Sequence, residues 1–267
     1  MEIYSSRMGK RRISCYDRPM KDKKVNKEKS VKDSYPMRIN QYLSKQGVAS
    51  RREADKLIAA GKVSLNGKKA VLGDRVASAE DKVVVDRKTL EQRQAAYVYL
   101  AFNKPAGIVT NPEEGQKSIA DIVKYKTPLT PMGRLDKDSR GLIILTNDTR
   151  VTGRLLESEN EHEKEYRVTV DKKLTPMFQK AITSGMKLED FIAKPCKLVK
   201  ISPTEFFLTI TEGKKHQIRR MCIALGYQVK DLERVRIMNI QLADLKNGLV
   251  REIVGQEREN FLKQLGL

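Results

Sequence analysis

No run of about 18 consecutive apolar residues occurs in the chain, so no membrane-spanning helix is expected. Cysteine and histidine are scarce. Cys15, Cys196 and Cys222 stand far apart without CxxC spacing, and His162 and His216 are the two histidines. Such a set does not make a structural zinc site, so no metal is expected. Nor does it make a disulfide framework, which points to a reducing compartment. The residues before Lys10 contain no apolar segment of the kind a secretory signal needs, and the expected location is the cytoplasm.

Positive charge, by contrast, is abundant. Lys and Arg total 53 against 34 Asp and Glu, a formal net charge of +19. The first inference is a polyanionic partner. With 39% hydrophobic and 33% charged residues, the 267-residue chain is more polar than an average domain but can still bury a core. That length suits one large domain or two modest ones.

The charge divides the chain. Residues 1–36 hold 11 basic and 5 acidic residues with few apolar ones, and read as a basic, disordered arm. Its roles range from RNA contact to a solubilising tail. A compact module follows over residues 37–88. Ile39, Tyr42 and Leu43 recur at helical spacing, so Arg38 to Gln46 reads as a short helix closed by Gly47. Ser50 with Glu53 forms a capping box that opens a second helix, and Gly61 lies beyond its far end. Val63, Leu65, the Asn66-Gly67 hairpin signal, Val76, Val83 and Val85 describe small strands. Arg51 and Arg52 occupy the first turn of the second helix, where the helix dipole disfavours cations by a few tenths of a kcal/mol. Either they meet a phosphate or they are an exposed pair that tolerates the cost. Arg38, Lys62 and Lys68 would extend the same face. The order of helix, Ser-Arg-Arg-Glu-Ala helix, Gly-Lys-Val and Val-Ser-Leu-Asn-Gly-Lys resembles the alpha-L RNA-binding domain, the type found in ribosomal protein S-four, over about residues 37 to 83. That resemblance implies an RNA contact lined by Arg51, Arg52, Lys62, Asn66 and Lys68.

Residues 89–96 are polar and without a core pattern, and read as a linker. A second domain is expected over 97–254, with a closing helix over 255–267. Tyr97 to Phe102 is strand-like and stops at Asn103-Lys104-Pro105-Ala106-Gly107, where proline and glycine impose a turn. Further strands are expected at Ile108 to Thr110, Leu142 to Leu145, Tyr166 to Val170, Phe206 to Thr211 and near Ile237 to Leu242. Helices are expected at Arg150 to Leu156, Pro176 to Ser184 and His216 to Leu225. Strands outnumber helices and their connections are irregular. The expected class is α+β, with a mixed, mainly antiparallel sheet flanked by helices and loops.

The densest chemistry lies in Gly133-Arg134-Leu135-Asp136-Lys137-Asp138-Ser139-Arg140-Gly141-Leu142. Three cations surround Asp136 and favour its ionised form, which can act as nucleophile or base. An ordinary exposed loop acid is the alternative from this segment alone. Tyr166 opens an alternating strand in Lys164-Glu165-Tyr166-Arg167-Val168-Thr169-Val170, where it can stack on a base or merely half-bury in the sheet. Gly213-Lys214-Lys215-His216-Gln217-Ile218-Arg219-Arg220-Met221 starts a basic helix whose Arg219 or Arg220 can hold a phosphate, pair with a carboxylate or face solvent.

In that order the GRLDxxxxGL loop, the KEYxVxV strand and the GxxHQIRRM helix resemble the three motifs of pseudouridine synthases. With the preceding alpha-L domain they resemble the RsuA/RluB/RluE/RluF branch. The EHEKEYRVTV and LERVRIMNI stretches lean toward its RluF members, while His216 departs toward the RluA branch. The resemblance implies isomerisation of uridine to pseudouridine in RNA without a cofactor, by an aspartate-dependent mechanism with base flipping. It implies Asp136 as the catalytic aspartate, Arg219 paired with it, Tyr166 stacked on the uracil, Ile218 in the apolar wall and Arg134 filling the space of the flipped nucleotide. Large-subunit ribosomal RNA is the expected partner. Small-subunit ribosomal RNA or transfer RNA are alternatives, as is a non-catalytic RNA- or ribosome-binding assembly factor. No membrane partner is expected, and the chain is expected to be a monomer.

Overall fold

The computed structural model describes residues 35–156 and 161–267. The arm expected over residues 1–36 lies outside them but for its last two residues. Helix α1 (Ile39–Lys45) follows a two-residue strand β1 (Met37–Arg38) and buries Ile39 and Leu43, one turn apart on one face. Gly47 ends it at φ +69°. Helix α2 (Arg51–Ala59) is opened by the Ser50 hydroxyl, which accepts the Glu53 N–H, and buries Ala54, Leu57 and Ile58. Beneath these lie β2 (Val63–Leu65), β3 (Lys68–Lys69), β4 (Arg75–Val76) and β5 (Val83–Val85), in a β3-β2-β5 sheet and a β1-β4 pair. Asn66 and Gly67, at φ 52° and 81°, turn β2 into β3.

The expected linker is helical. Helix α3 (Arg87–Ala95) is held by the Arg87–Glu91 pair at 2.8 Å, one turn apart, and by Asp86, which accepts the Thr89 hydroxyl at 2.5 Å. It has no apolar stripe, so periodicity gave no sign of it. A helix of this polarity suits a solvated span between two domains.

The second domain is built on one sheet. Its elements are β6 (Tyr99–Lys104), α4 (Ile119–Ile122), β7 (Thr130–Met132), β8 (Arg140–Thr146), α5 (Arg150–Leu156), β9 (Lys164–Val170), α6 (Pro176–Thr183), the short pair β10 (Met186–Lys187) and β11 (Ile192–Ala193), β12 (Lys197–Ser202), β13 (Glu205–Ile210), α7 (Gln217–Ala224), β14 (Val229–Ile237), β15 (Ile240–Gln241), β16 (Val250–Glu252) and α8 (Gly255–Gln264). The path is β12-β13-β9-β14-β8-β6-β16, with β15 paired to β14 and β7 to β8. Among the described strand pairs only β14 against β8 runs parallel, so the mixed, mainly antiparallel expectation holds.

Three strand expectations change. The strand from Tyr97 starts at Tyr99 and continues through Asn103 and Lys104, which are buried. Ile108 to Thr110 contributes one bridge, Val109 to Ser118. The strand near Ile237 is the end of a nine-residue strand that turns at Met238, φ 52°, into β15.

Strand β8 is buried on both faces. Ile143 and Leu145 join the core made with α6 and α7, and Leu142 and Ile144 join the core made with α5 and α8. Burying each such side chain stabilises the fold by about 2 kcal/mol. Strands β9 and β13 contribute only to the first core. Their opposite face carries ion pairs: Arg167 with Glu205 at 2.5 Å, and Glu165 with Arg236 of the neighbouring β14 at 3.4 Å. The two domains touch where the Thr149 hydroxyl donates to the Glu53 carboxylate at 2.5 Å and Arg154 donates to the Lys45 carbonyl at 3.0 Å. No helix among the described residues is long and apolar enough to cross a membrane.

Candidate active site

One row crosses the sheet at the end where the Gly133 to Ser139 loop enters β8. Leu208 of β13 pairs with Tyr166 of β9, Tyr166 with Arg234 of β14, Arg234 with Gly141 of β8, and Gly141 with Lys104 of β6. Residues opposite one another share a face, and this is the face of the α6 and α7 core. Tyr166 is 8% exposed and lies in that core with Ile218 of α7. Gly141 makes the row possible. At φ +104° it brings β8 so close to β14 that a Cβ there would run into the Arg234 carbonyl oxygen.

The loop itself is held through its backbone. Arg234 donates to the carbonyls of Gly133 (3.1 Å) and Arg134 (3.4 Å). The Thr110 hydroxyl donates to Leu135 at 2.7 Å and accepts the Leu135 N–H at 3.1 Å. The Asp136 carbonyl accepts from the Ser139 N–H at 3.1 Å, and that of Lys137 from the Gly107 N–H at 2.8 Å and from Lys104 at 3.4 Å. Arg219 donates to the Asp138 carbonyl at 3.2 Å and to the Ser139 hydroxyl at 3.3 Å. Every carbonyl from Gly133 to Asp138 therefore has a donor, one from the loop's own Ser139 and the others from the 104–110 stretch, α7 and β14. With its backbone fixed, the loop presents the Asp136 carboxylate, 36% exposed, to solvent.

The expected pair between Arg219 and Asp136 is not formed. Arg219 is drawn instead to the backbone and hydroxyl two and three residues further on. The ion partner of Asp136 among the described residues is His216, whose Nε2 lies 3.3 Å from Oδ1. His216 is placed there by an uncommon backbone, left-handed at φ 53°, at the N-cap of α7. The start of α7 is pinned beneath it. Buried Gln217 donates to Glu212 at 2.5 Å and accepts the Lys214 N–H at 3.1 Å, while Glu212 also accepts the Lys194 N–H at 2.8 Å. Arg134 is exposed, as are Lys137, Lys214 and Lys215.

Lys104 was not foreseen as a site residue. It is fully buried and donates to the carbonyls of Pro105 at 2.8 Å and Ile108 at 2.6 Å as well as to Lys137. Burial pushes its ammonium down to about 8, against the pull of Asp136 and Asp138. The signal was a lysine in the core-facing phase of an apolar strand. Between a folded value near 8 and an unfolded one of 10.5 the unfolded chain binds more protons, so this group makes stability rise with pH across that window. The urea midpoint of the parent, measured relative to Lys104→Met, should climb between about pH 8 and pH 10, by up to about 1.4 kcal/mol per pH unit. A flat difference would show that Lys104 titrates as it does in the unfolded chain.

On the smaller domain Arg51 and Arg52 are exposed in the first turn of α2, and Arg38 and Lys68 are exposed nearby in sequence. Lys62 pairs with Asp86 at 3.6 Å. Asn66, expected to touch RNA, spends its amide on the fold: it donates to Asp81 at 2.8 Å and accepts the Lys82 N–H at 2.8 Å. That bond, with two backbone N–H groups, holds the Asp81 carboxyl below its ordinary range.

Residues 98–224 match the RNA pseudouridylate synthase family and residues 37–83 the S4 domain. The chain is 44% identical over 229 residues to the dual-specificity RNA pseudouridine synthase RluF of Escherichia coli strain K12, covering 85% of this chain and 79% of that one. It is 33% identical over 230 residues to the ribosomal large subunit pseudouridine synthase B of Bacillus subtilis, covering 82% and 93%. A crystal structure of a pseudouridylate synthase superposes with a TM-score of 0.61 at 27% identity, covering 86% of this chain and 99% of that one. A Gly-Arg-Leu-Asp loop at the end of a mixed sheet, preceded by an S4 domain and matched by such relatives, places the chain in the RNA pseudouridylate synthase family, in the RsuA branch and similar to RluF.

Proposed function

We propose that the chain isomerises uridine in large-subunit ribosomal RNA with Asp136 as the reacting carboxylate. The observation that carries this is the loop: all its carbonyls are bonded inward while one carboxylate remains accessible. The name of the Bacillus subtilis relative supports the large subunit. The dual specificity named for RluF makes transfer RNA the second substrate class to test.

In the reaction the bond from ribose C1′ to uracil N1 breaks, the base turns, and C1′ bonds to C5. The C5 proton leaves and N1 gains one, so the change is an isomerisation without redox. Tyr166 and Ile218, both members of the core beneath α6 and α7, supply an apolar wall for the uracil, and Tyr166 is the candidate to take the C5 proton. Arg134, exposed beside Asp136, fills the space left by a flipped nucleotide. Arg219 holds the loop from the side of α7 in place of pairing with the reacting acid.

Tritium release from RNA labelled at uridine C5 tests this on large-subunit, small-subunit and transfer RNA. Release from large-subunit RNA is expected. Release from small-subunit RNA alone would overturn the substrate assignment. For RNA capture we propose Arg51, Arg52, Arg38 and Lys68, with Lys62 freed from Asp86. The double variant Arg51→Gln/Arg52→Gln should weaken RNA binding about tenfold and lower its salt slope by about 2, with the rate on bound RNA kept. An unchanged salt slope would remove both arginines from the contact.

A further inference from the structure

Among the described residues Arg234 is the largest side chain that the fold buries completely, at 1% exposure. A guanidinium stays charged at any pH the protein meets, and burying one is costly without partners. Here the partners are backbone carbonyls rather than carboxylates. Arg234 donates to Leu142 at 2.7 Å, to Gly133 at 3.1 Å and to Arg134 at 3.4 Å. Gly133 and Arg134 lie just before Asp136, and Leu142 lies six residues after it. One planar fork therefore ties both stems of the loop together from beneath. The neighbouring charges on this face are Lys104, two places along the row, beyond Gly141, and Lys164 at the start of β9, which burial and then Arg234 itself push down to about 8. A cation crowded by two others is retained only where its geometry is needed.

We propose that Arg234 is a positioning residue for the isomerisation: it fixes the two stems of the Gly133 to Leu142 loop to one another and so sets where the Asp136 carboxylate stands. The role needs a fork. A lysine ammonium carries all its donors on one atom and cannot reproduce three separate nitrogens, each donating to its own carbonyl, in one plane. Thr110, Lys104 and Arg219 hold the middle of the loop, but only Arg234 among these donors bonds to both of its stems. The proposal rests on the reading of Asp136 as the reacting group.

The test uses the full chain with Arg234→Lys and Arg234→Met, the second removing the fork without placing a new charge in the core. Three quantities are read: the single-turnover rate at saturating enzyme, the affinity for the same RNA, and amide hydrogen exchange across residues 135 to 140. Each variant that melts cooperatively should react about a hundredfold slower, the scale of a misplaced reacting group, with RNA affinity within about threefold of the parent. Exchange in the loop should quicken while that of β6 and β13 stays put. A folded variant with a rate within about threefold of the parent overturns the proposal, and so does a loop whose exchange is unchanged. So does a rate loss matched by an equal loss of RNA affinity. If one variant does not fold, the other decides. The exchange measurement needs no turnover, so it separates this proposal from the assignment of Asp136, which Asp136→Asn tests alone.

Discussion

Asp136→Asn should release tritium from C5-labelled RNA at least about a thousandfold more slowly than the parent while binding that RNA within about threefold. The substitution keeps the shape of the side chain and removes its charge. The loop should survive, because its carbonyls are held by donors that do not involve the carboxylate. A thousandfold loss is about 4 kcal/mol of transition-state stabilisation, which a residue outside the chemistry would not supply. His216, 3.3 Å away, is left facing a neutral amide, so a small change in stability is expected. A variant that releases tritium at the parental rate would remove Asp136 from the mechanism, whatever the family.

Gly141→Ala is expected to be the most damaging single methyl in the second domain. At φ +104° a side chain strains the backbone by about 1–3 kcal/mol, and its Cβ would strike the backbone carbonyl of Arg234, which has no flexible end to move aside. The β8–β14 contact is parallel and has two residue pairs, Arg140 with Glu233 and Gly141 with Arg234. There is little pairing elsewhere to restore it. Stability should drop by about 3–5 kcal/mol in urea titration, with activity lost even in protein that remains folded. A loss under about 1 kcal/mol would mean that the two strands can move apart without cost, and the row would not be a rigid support.

The smaller domain was largely legible because its signals are local. Ser50, Gly47, Gly61 and Asn66-Gly67 each dictate a cap or turn within four residues, and the structure shows each one. The sheet of the second domain was legible where a strand is apolar or alternates, as in β8, β9 and β13. Strand β14 was nearly missed because Asp231 and Glu233, alternating with Leu232 and Arg234, answer Arg140, a partner some ninety residues away that no local pattern reveals. Helix α3 was missed for the opposite reason, since it has no core face. At the site, the resemblance of the three motifs pointed to Asp136, Tyr166, Ile218 and Arg219 but paired Arg219 with the acid itself, where the structure has it on the Asp138 carbonyl and the Ser139 hydroxyl. That placement depends on a turn two residues beyond the acid. Lys104, Thr110 and Arg234 were invisible as a group. Each touches the loop through its backbone, and backbone carbonyls leave no trace in a residue pattern.

The pairing of β14 with β9 slips twice, between Val229 and Asp231 and again between Arg234 and Arg236. Between the slips, Asp231, Leu232, Glu233 and Arg234 face Thr169, Val168, Arg167 and Tyr166 without interruption. The bulges thus work as expansion joints around a four-residue vernier. An extra residue at Lys230 or Val235 can be absorbed as a larger bulge. The same residue inserted between Leu232 and Glu233 reverses which side chains turn inward, sends the guanidinium to the wet face and drives a carboxylate into the core. Length changes in this strand should therefore be tolerated or lethal according to whether they fall at a bulge or within the four residues between the bulges, with no correlation to their distance from the cleft.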